Sequence, residues 1–296
     1  MPGRSLRSMA VDYKALKAGG FMRQKQKDMF SMRLKVVGGT VTTTQMSAIR
    51  KAADQFGAGY IHLTSRQGIE IPFVKLEDIE KIKAELEAAG VETGVCGPRV
   101  RTVTACQGGR VCGSGCFDTL ALAQKIDAHY FGRELPHKFK FGITGCQNNC
   151  LKAEENDVGI KGGETVSWNR EDCIFCGVCE KACRSNAITV SDEEVCLQED
   201  LCNHCGRCVR ACPTAAWTGE EGYLLSFGGT FGNEIQKGRE LLPIITDEET
   251  LFRVTDAAVA FFTEHGQPGE RFARTITRTG WDALQEKIKE AYDGRE

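Results

Sequence analysis

The chain has 296 residues, of which 41% are hydrophobic and 26% charged, and its formal net charge is −2. This composition is ordinary for a globular protein of about two domains, and the small net charge gives no electrostatic reason to expect a nucleic-acid partner. The longest apolar runs, such as residues 257–262, fall far short of the roughly 20 residues that cross a bilayer. With no signal-peptide core near the N-terminus, we expect a cytoplasmic protein without a membrane span.

Strand and helix patterns alternate in the first third of the sequence. Residues 1–30 are polar without a clear period and predict an extended arm or a short helix. Strand patterns then cover residues 32–37, 60–64 and 69–73, and helix patterns cover residues 42–56 and 76–89. Thr42 and Gln45 have the spacing of a capping box at the start of the first helix. This β-α-β-β-α order is most of a ferredoxin-like α+β sandwich.

The remaining patterns divide the chain further. They predict a helix over 120–130, strands over 138–143 and 223–227, and an amphipathic helix over 248–265. We therefore predict an α+β chain in three parts. An arm and a ferredoxin-like half domain occupy residues 1–94, a second α+β domain occupies 95–162 and 221–296, and a cysteine-rich domain is inserted at 163–220.

Eight of the 15 cysteines form two near-copies of one run, offset by 29 residues. The spacing is that of bacterial ferredoxins with two [4Fe-4S] clusters, in which the fourth cysteine of each run binds the other cluster. One cluster is thus expected on Cys173, Cys176, Cys179 and Cys212, and another on Cys202, Cys205, Cys208 and Cys183. Zinc is the alternative, but four-thiolate zinc sites usually combine two separated pairs. Such thiolates persist in a reducing compartment.

A third set consists of Cys106, Cys112, Cys146 and Cys150, with wider spacing. The segment 144–160, with Cys146, Cys150 and the tetrad that begins at Asp157, resembles the sirohaem-and-cluster motif of the sulfite and nitrite reductases. The resemblance implies a third [4Fe-4S] cluster on these four cysteines and a sirohaem whose iron shares Cys150. Cys96, Cys116 and Cys196 fall outside the three sets, and we expect them to be buried thiols.

Four further segments resemble parts of the same family, at residues 30–35, 62–67, 99–103 and 136–140. Taken singly, their basic residues would more often be solvated charges at strand edges. The resemblance instead implies that four cations face the substrate: Arg33, Arg101, Lys138 and Lys140. It also implies that the cofactor is held by His62, Thr64, Arg66 and Gln67, together with Cys150.

The resemblance implies a small anaerobic-type sulfite reductase that reduces sulfite to sulfide with six electrons. Arginines can grip an oxyanion through two donors each, and lysines can supply protons. Electrons are expected to enter through the two ferredoxin-type clusters from a donor protein or subunit. Larger relatives contain two copies of the sandwich-plus-cluster unit, so a homodimer or hetero-oligomer is expected here.

Two alternatives remain open at this point. A sirohaem nitrite reductase, which converts nitrite to ammonia, has a similar pattern, although plant-type enzymes tend to have asparagine where Lys140 stands. A polyferredoxin that only relays electrons would need neither the third cysteine set nor the basic segments.

Overall fold

The computed structural model describes residues 11–294, which form two α+β regions and a small cysteine-rich unit. The predicted α+β class with a ferredoxin-like region is confirmed. Residues 1–10, part of the predicted arm, lie outside the described residues. Among the described helices, none is long and apolar enough to cross a membrane.

The first region is a four-stranded antiparallel sheet, in the order β1-β2-β4-β3, with helices packed on it. Its strands are β1 Phe21–Arg23, β2 Met29–Arg33, β3 His62–Leu63 and β4 Ile69–Lys75. Its helices are α1 Tyr13–Ala18, α2 Thr43–Phe56 and α3 Ile79–Glu87. The apolar faces of α2 and α3 bury Ile49 and Ile82 against Met32 and Ile71 of the sheet.

Sequence and structure agree on most of this region, with two differences. The capping box is present, since the Thr42 side chain accepts from the Gln45 N–H and the Gln45 side chain accepts from the Thr42 N–H. The predicted strand over 32–37 lies earlier, at β2, because Gly38 and Gly39 adopt positive φ angles of 58° and 68° in a short 3-10 turn. Part of the predicted arm forms α1 and β1.

The second region is a five-stranded mixed sheet, in the order β11-β10-β7-β6-β5. Its strands are β5 Thr104–Ala105, β6 Phe141–Thr144, β7 Val158–Trp168, β10 Trp217–Phe227 and β11 Arg239–Glu240. Its helices are α4 Thr119–Tyr130, α7 Glu248–His265, α8 Phe272–Thr279 and α9 Trp281–Tyr292. The bounds predicted for α7 are confirmed, whereas α8 and α9 were not predicted.

An aromatic core lies beneath this sheet. Tyr130, Phe139, Phe141, Phe262 and Phe272 are fully buried there and pack ring against ring. Phe261 is buried in the same cluster, and Phe252 is partly buried against it.

Parallel pairing in this sheet brings two cysteine segments together. Strands β5, β6 and β7 run parallel, so β5 and β6 end at the same edge. Cys106 follows β5 directly, and Gly145 and Cys146 follow β6. The Cys106 N–H accordingly donates to the Ile143 carbonyl at 3.0 Å. Residues far apart in the sequence thus meet at one sheet edge.

The small unit lies between the two long strands β7 and β10, which pair along their full length. It contains α5 Val178–Ala182, β8 Ile188–Val190, β9 Val195–Leu197 and α6 Arg207–Ala211. Its own core includes Ile188, Val195 and Trp217.

The two halves of this unit repeat their backbone conformation. Positive φ angles recur 29 residues apart, at 55° and 56° for Phe175 and His204, and at 69° and 63° for Gly177 and Gly206. The sequence repeat is therefore a structural repeat.

Candidate active site and cysteine clusters

Five cationic side chains that the sequence placed in four separate segments line one cavity. The cavity lies where the end of β2, the β3–β4 turn and the segments before β5 and β6 meet. We call it the cation cavity, and its cations are Arg33, Arg66, Arg101, Lys138 and Lys140. Thr64 also lines it. All four predicted substrate residues are thus brought together.

The guanidinium of Arg33 is held by β4 and by a buried thiol. Its Nε and Nη2 donate to Glu70 Oε1 at 2.9 and 2.6 Å, and its Nη1 lies 3.1 Å from Cys96 Sγ. Because both partners are side chains of the protein itself, the orientation of this cation is fixed before an anion binds.

Arg101 is anchored by backbone carbonyls. Its Nη1 donates to Val95 O at 2.6 Å and its Nη2 to Gly97 O at 3.0 Å. Its Nε is buried and has no hydrogen-bond partner among residues 11–294. Buried donors are nearly always paired in native proteins, so an unpaired donor beside a cavity fits an acceptor supplied by a bound molecule.

Arg66 is held by an amide oxygen and a backbone carbonyl. Its Nη1 donates to Asn156 Oδ1 at 2.7 Å and its Nη2 to Thr102 O at 3.3 Å. Burial lowers its pKa to about 10, and the Asp157 carboxylate opposes this shift.

The two lysines lose part of their ordinary basicity. Burial, the largest cause, together with the charges of Arg66 and Arg271, lowers the pKa of Lys140 to about 8 against the effect of Asp157. Burial likewise lowers the pKa of Lys138, helped by Arg271 and Arg101. A lysine with a pKa near neutrality can give up its proton during turnover.

Arg271 is a site residue that the sequence did not reveal. Its Nη2 donates to both carboxylate oxygens of Asp157, at 3.1 and 3.2 Å, and its charge acts on Lys138 and Lys140. It precedes α8, 114 residues from Asp157, in a segment with no motif. No spacing or resemblance pointed to it.

A second cavity adjoins the third cysteine set. Gln67, Cys106 and Cys150 line it together with Gly38 and Gly39. Gln67 is fixed by a two-way contact with Ala105, donating to its carbonyl at 2.8 Å and accepting from its N–H at 3.0 Å. The structure thus brings Gln67 to the same space as two predicted cluster cysteines, one of which is also the predicted sirohaem ligand.

The third cysteine set surrounds the sheet edge without forming a closed site. The Cys106 sulfur accepts from the Gly145 N–H at 3.2 Å, while Cys112 and Cys150 are exposed. Cys146 is half-buried and lines another cavity, which it shares with Cys205 of the small unit. The third set therefore faces the second half of the ferredoxin-type repeat.

His62 lies apart from this arrangement. It is exposed on β3, an edge strand, and it lines neither the cation cavity nor the second cavity, unlike Thr64, Arg66 and Gln67. A role for His62 in holding the cofactor stays a prediction.

The ferredoxin-type cysteines form crossed groups. A single cavity is lined by Cys173, Cys176, Cys179 and Cys212, which combines three thiols of the first run with the last of the second. Burial raises the pKa of the Cys202 thiol, and the neighbouring Cys205 and Cys183 thiols raise it further. These neighbours are those expected from crossed ligation, and the ligation itself stays a prediction.

Contacts to sulfur repeat between the two halves. The Phe175 and His204 N–H groups each donate to the sulfur two residues earlier, Cys173 and Cys202, at 3.4 Å. Amide donors of this kind tune the potentials of iron-sulfur clusters.

The cysteine geometry also bears on zinc. A four-iron cluster takes its four thiolates at different irons, so its ligands surround a larger volume. Crossed thiols around a shared cavity, with amide donors on sulfur, fit a cluster better than a tetrahedral zinc site.

Of the three remaining cysteines, Cys96 and Cys116 are buried as expected. Burial raises the pKa of Cys116 to about 12, so this thiol stays protonated. The expectation for Cys196 was wrong, because this residue is exposed on the short strand β9.

The fold and its two cavities define an α+β protein in which a cation-lined cavity and a cysteine-lined cavity are built from neighbouring segments. Residues 96–295 match the family described as nitrite and sulphite reductase 4Fe-4S domain, and residues 22–89 match the nitrite/sulfite reductase ferredoxin-like half domain. The chain belongs to the nitrite and sulfite reductase family.

Two curated relatives share about a third of their aligned residues with this chain. The chain is 35% identical over 256 residues to the coenzyme F420-dependent sulfite reductase of Methanocaldococcus jannaschii, covering 86% of this chain and 41% of that protein. It is 33% identical over 229 residues to one subunit of the anaerobic sulfite reductase of Salmonella typhimurium, covering 71% of this chain and 67% of that protein. The chain thus spans less than half the length of the first relative.

The fold also resembles a solved structure. The crystal structure of dissimilatory sulfite reductase I superposes with a TM-score of 0.72 at 22% identity, over 88% of this chain and 69% of that one. At this level of identity, the likeness shows the fold alone.

Proposed function

We propose that this chain binds sirohaem and [4Fe-4S] clusters and reduces sulfite to sulfide. The observation that carries the proposal is the cation cavity, where five cations from four segments converge. The two curated relatives are named as sulfite reductases, which favours sulfite over nitrite as the substrate. The residues in and around the cavity fit an anionic cofactor and a small oxyanion, since the Nε of Arg101 is buried there without an acceptor among the described residues.

The cofactors, when bound, would pass on six electrons from an electron-donor protein or subunit, while six protons must come from the protein or water. Overall, hydrogen sulfite with six electrons and six protons gives hydrosulfide and three waters. Arg33 and Arg101 would bind the oxyanion, since both are held by other protein groups in a fixed orientation. Preorganised cations stabilise the negative charge that grows on departing oxygens.

Lys138 and Lys140 would supply protons to those oxygens. Their lowered pKa values bring them closer to the working pH, where a general acid is most effective. They lie on the strand-like segment before β6, with the buried Phe139 between them, so both side chains leave on the same face.

The residues that would hold the cofactors line the two cavities and the crossed cysteine groups. Sirohaem carboxylates would be bound by Arg66 and Thr64, with Gln67 beside them, and Cys150 would join its iron to a cluster on the third set. The other two clusters would occupy the crossed cysteine groups of an inserted domain over residues 163–220. We place this chemistry in the cytoplasm, where thiolates stay reduced.

Replacement of the lysines tests the proposal. In anaerobically purified holoprotein with a chemical reductant, Lys140→Met should lower kcat for sulfite by about 10²- to 10⁴-fold, the contribution typical of a general acid. Lys125→Met is the matched control, because Lys125 is exposed on α4 and pairs with Glu248. Its kcat should match that of the unaltered protein.

The same preparation separates the alternatives. Sulfide should form at one molecule per six electrons, and kcat/KM for sulfite should exceed that for nitrite. A preference for nitrite would make the chain a nitrite reductase. Holoprotein that shows no chlorin absorption and no turnover of either anion would make it a polyferredoxin.

A further inference from the structure

We propose that Asp157 and Arg271 form a buried ion pair that positions Lys140 and sets its readiness to donate a proton. Both are positioning residues, since neither is among the residues that line the cation cavity. The inference rests on the proposed function, in which Lys140 is a proton donor.

The Asp157 carboxylate joins the ion pair to the backbone of Lys140. Asp157 is completely buried, and its Oδ1 and Oδ2 accept from Arg271 Nη2 at 3.1 and 3.2 Å. Its Oδ2 also accepts from the Lys140 N–H at 2.9 Å. The Lys140 carbonyl accepts from the Val158 N–H at 3.1 Å. Both backbone groups of Lys140 are therefore fixed by residues 157 and 158.

Arg271 reaches this point from a different element. It is the N-cap residue of α8, and its side chain is only 16% exposed. Its Nε is buried without a partner in the described part of the chain. Arg271 remains a cation, because a guanidinium is not deprotonated in proteins. Its charge acts on the two lysines.

Opposed charges act on the Lys140 ammonium. Arg66, Arg271 and Lys138 are cationic and disfavour its protonated form, whereas Asp157 is anionic and favours it. Burial lowers the pKa of Lys140 most, followed by Arg66 and then Arg271. The opposing effect of Asp157 is smaller than the effect of Arg271. Loss of the Arg271 charge should therefore raise the pKa of Lys140, and loss of the Asp157 charge should lower it further.

These opposite signs distinguish positioning from general damage to the fold. A lysine is protonated below its pKa, so its contribution as an acid is lost as the pH rises through that value. With the pKa of Lys140 at about 8, the rate of sulfite reduction should fall across slightly alkaline pH. The falling limb should move up in Arg271→Gln and down in Asp157→Asn.

The direct test measures Lys140 without turnover. Trace acetic anhydride labels deprotonated lysines, and mass spectrometry of holoprotein labelled over a range of pH gives an apparent pKa for the Lys140 peptide. We expect Arg271→Gln to raise this pKa by roughly one unit and Asp157→Asn to lower it, as for a charge added or removed nearby. Arg271→Lys keeps the charge and should restore a value close to that of the unaltered protein.

Arg274→Gln is the matched control. Arg274 lies on α8, three residues from Arg271, and pairs with Glu234 on the surface. It should leave the pKa of Lys140 unchanged. The inference is overturned if Arg271→Gln and Asp157→Asn shift the pKa of Lys140 in the same direction, or by no more than Arg274→Gln does.

The two readouts separate this inference from the proposed function. If the Lys140 pKa shifts with the expected signs and the pH profile of sulfite reduction follows, both stand. If the pKa shifts but the pH profile does not, the ion pair controls Lys140, and its assignment as the proton donor is wrong. An unshifted pKa overturns the inference whatever the sulfite rate.

Discussion

Individual cations at this site are held by protein contacts. Arg33 is held by Glu70 and Cys96, Arg101 by two carbonyl oxygens, and Arg66 by Asn156. Side chains ordered in advance need little rearrangement when charge develops on a substrate, which is the main source of electrostatic catalysis.

Residues carried by segments with a recognisable pattern were predictable, and those defined by a tertiary contact alone were not. The five cations of the cavity and the crossed cysteines were singled out from sequence, and the structure brings them together. Arg271 was not, because its significance comes from Asp157, 114 residues away. The exposure of Cys196 was also missed, since a strand of three residues has no reliable alternation.

At the residue scale, pairs of cysteine replacements test the crossed ligation. If Cys173 and Cys212 bind the same cluster, replacing both by alanine should cost about four irons per chain, the same as either single replacement. Replacing Cys173 and Cys183 should cost about eight, because they would bind different clusters. The measurement is iron per chain in anaerobically purified protein.

The control for these variants is Cys196→Ala, since Cys196 is exposed and belongs to none of the three sets. It should retain the full iron content. If the Cys173 and Cys212 pair instead costs about eight irons and the Cys173 and Cys183 pair about four, each run of four cysteines binds its own cluster.

At the scale of the elements, the site residues lie where strands end and helices begin. The parallel strands β5 and β6 bring Cys106 and Cys146 to one edge, and β7 continues outwards to meet the small unit. Local patterns predicted α2 and α7, which carry a capping box and a long apolar face. They did not predict β1 or β5, whose two or three residues are defined by their sheet partners.

The repeat in the small unit offers a prediction at the element scale. Gly177 and Gly206 precede α5 and α6 with nearly equal positive φ angles. A Cβ on Gly177 meets nothing within 4 Å, whereas a Cβ on Gly206 would lie 2.0 Å from the Glu164 carboxyl carbon. Gly177→Ala should therefore cost only the left-handed strain of about 1–2 kcal/mol, and Gly206→Ala should cost more.

The Glu164 carboxylate is the reason for the difference. It is buried on β7 and accepts from Arg210 of α6, so it connects the small unit to the large sheet. Gly206→Ala must displace this carboxylate, and hydrogen exchange should then quicken at Glu164 and Arg210 but not in α5. Equal effects of the two replacements on exchange would contradict this account.

At the scale of the whole chain, residues 22–89 match one ferredoxin-like half domain and residues 96–295 match one 4Fe-4S domain. Cys112 and Cys150 are exposed, and the neighbouring Val111 is 71% exposed. Because solvent exposure shifts cluster potentials, we expect this face to be covered in the working enzyme. The cofactor would cover part of it, and a second copy or a partner subunit would cover the rest.

The prediction at this scale is a homodimer or a hetero-oligomer. Light scattering coupled to size-exclusion chromatography of the holoprotein should give a mass above that of the 32.5 kDa chain. Sulfite reduction per chain should fall on dilution, because dissociation uncovers the cluster face, while the iron content stays constant. A saturating chemical reductant removes any dependence on the electron donor. A monomer whose activity per chain is full and independent of concentration would show that one copy of the unit suffices.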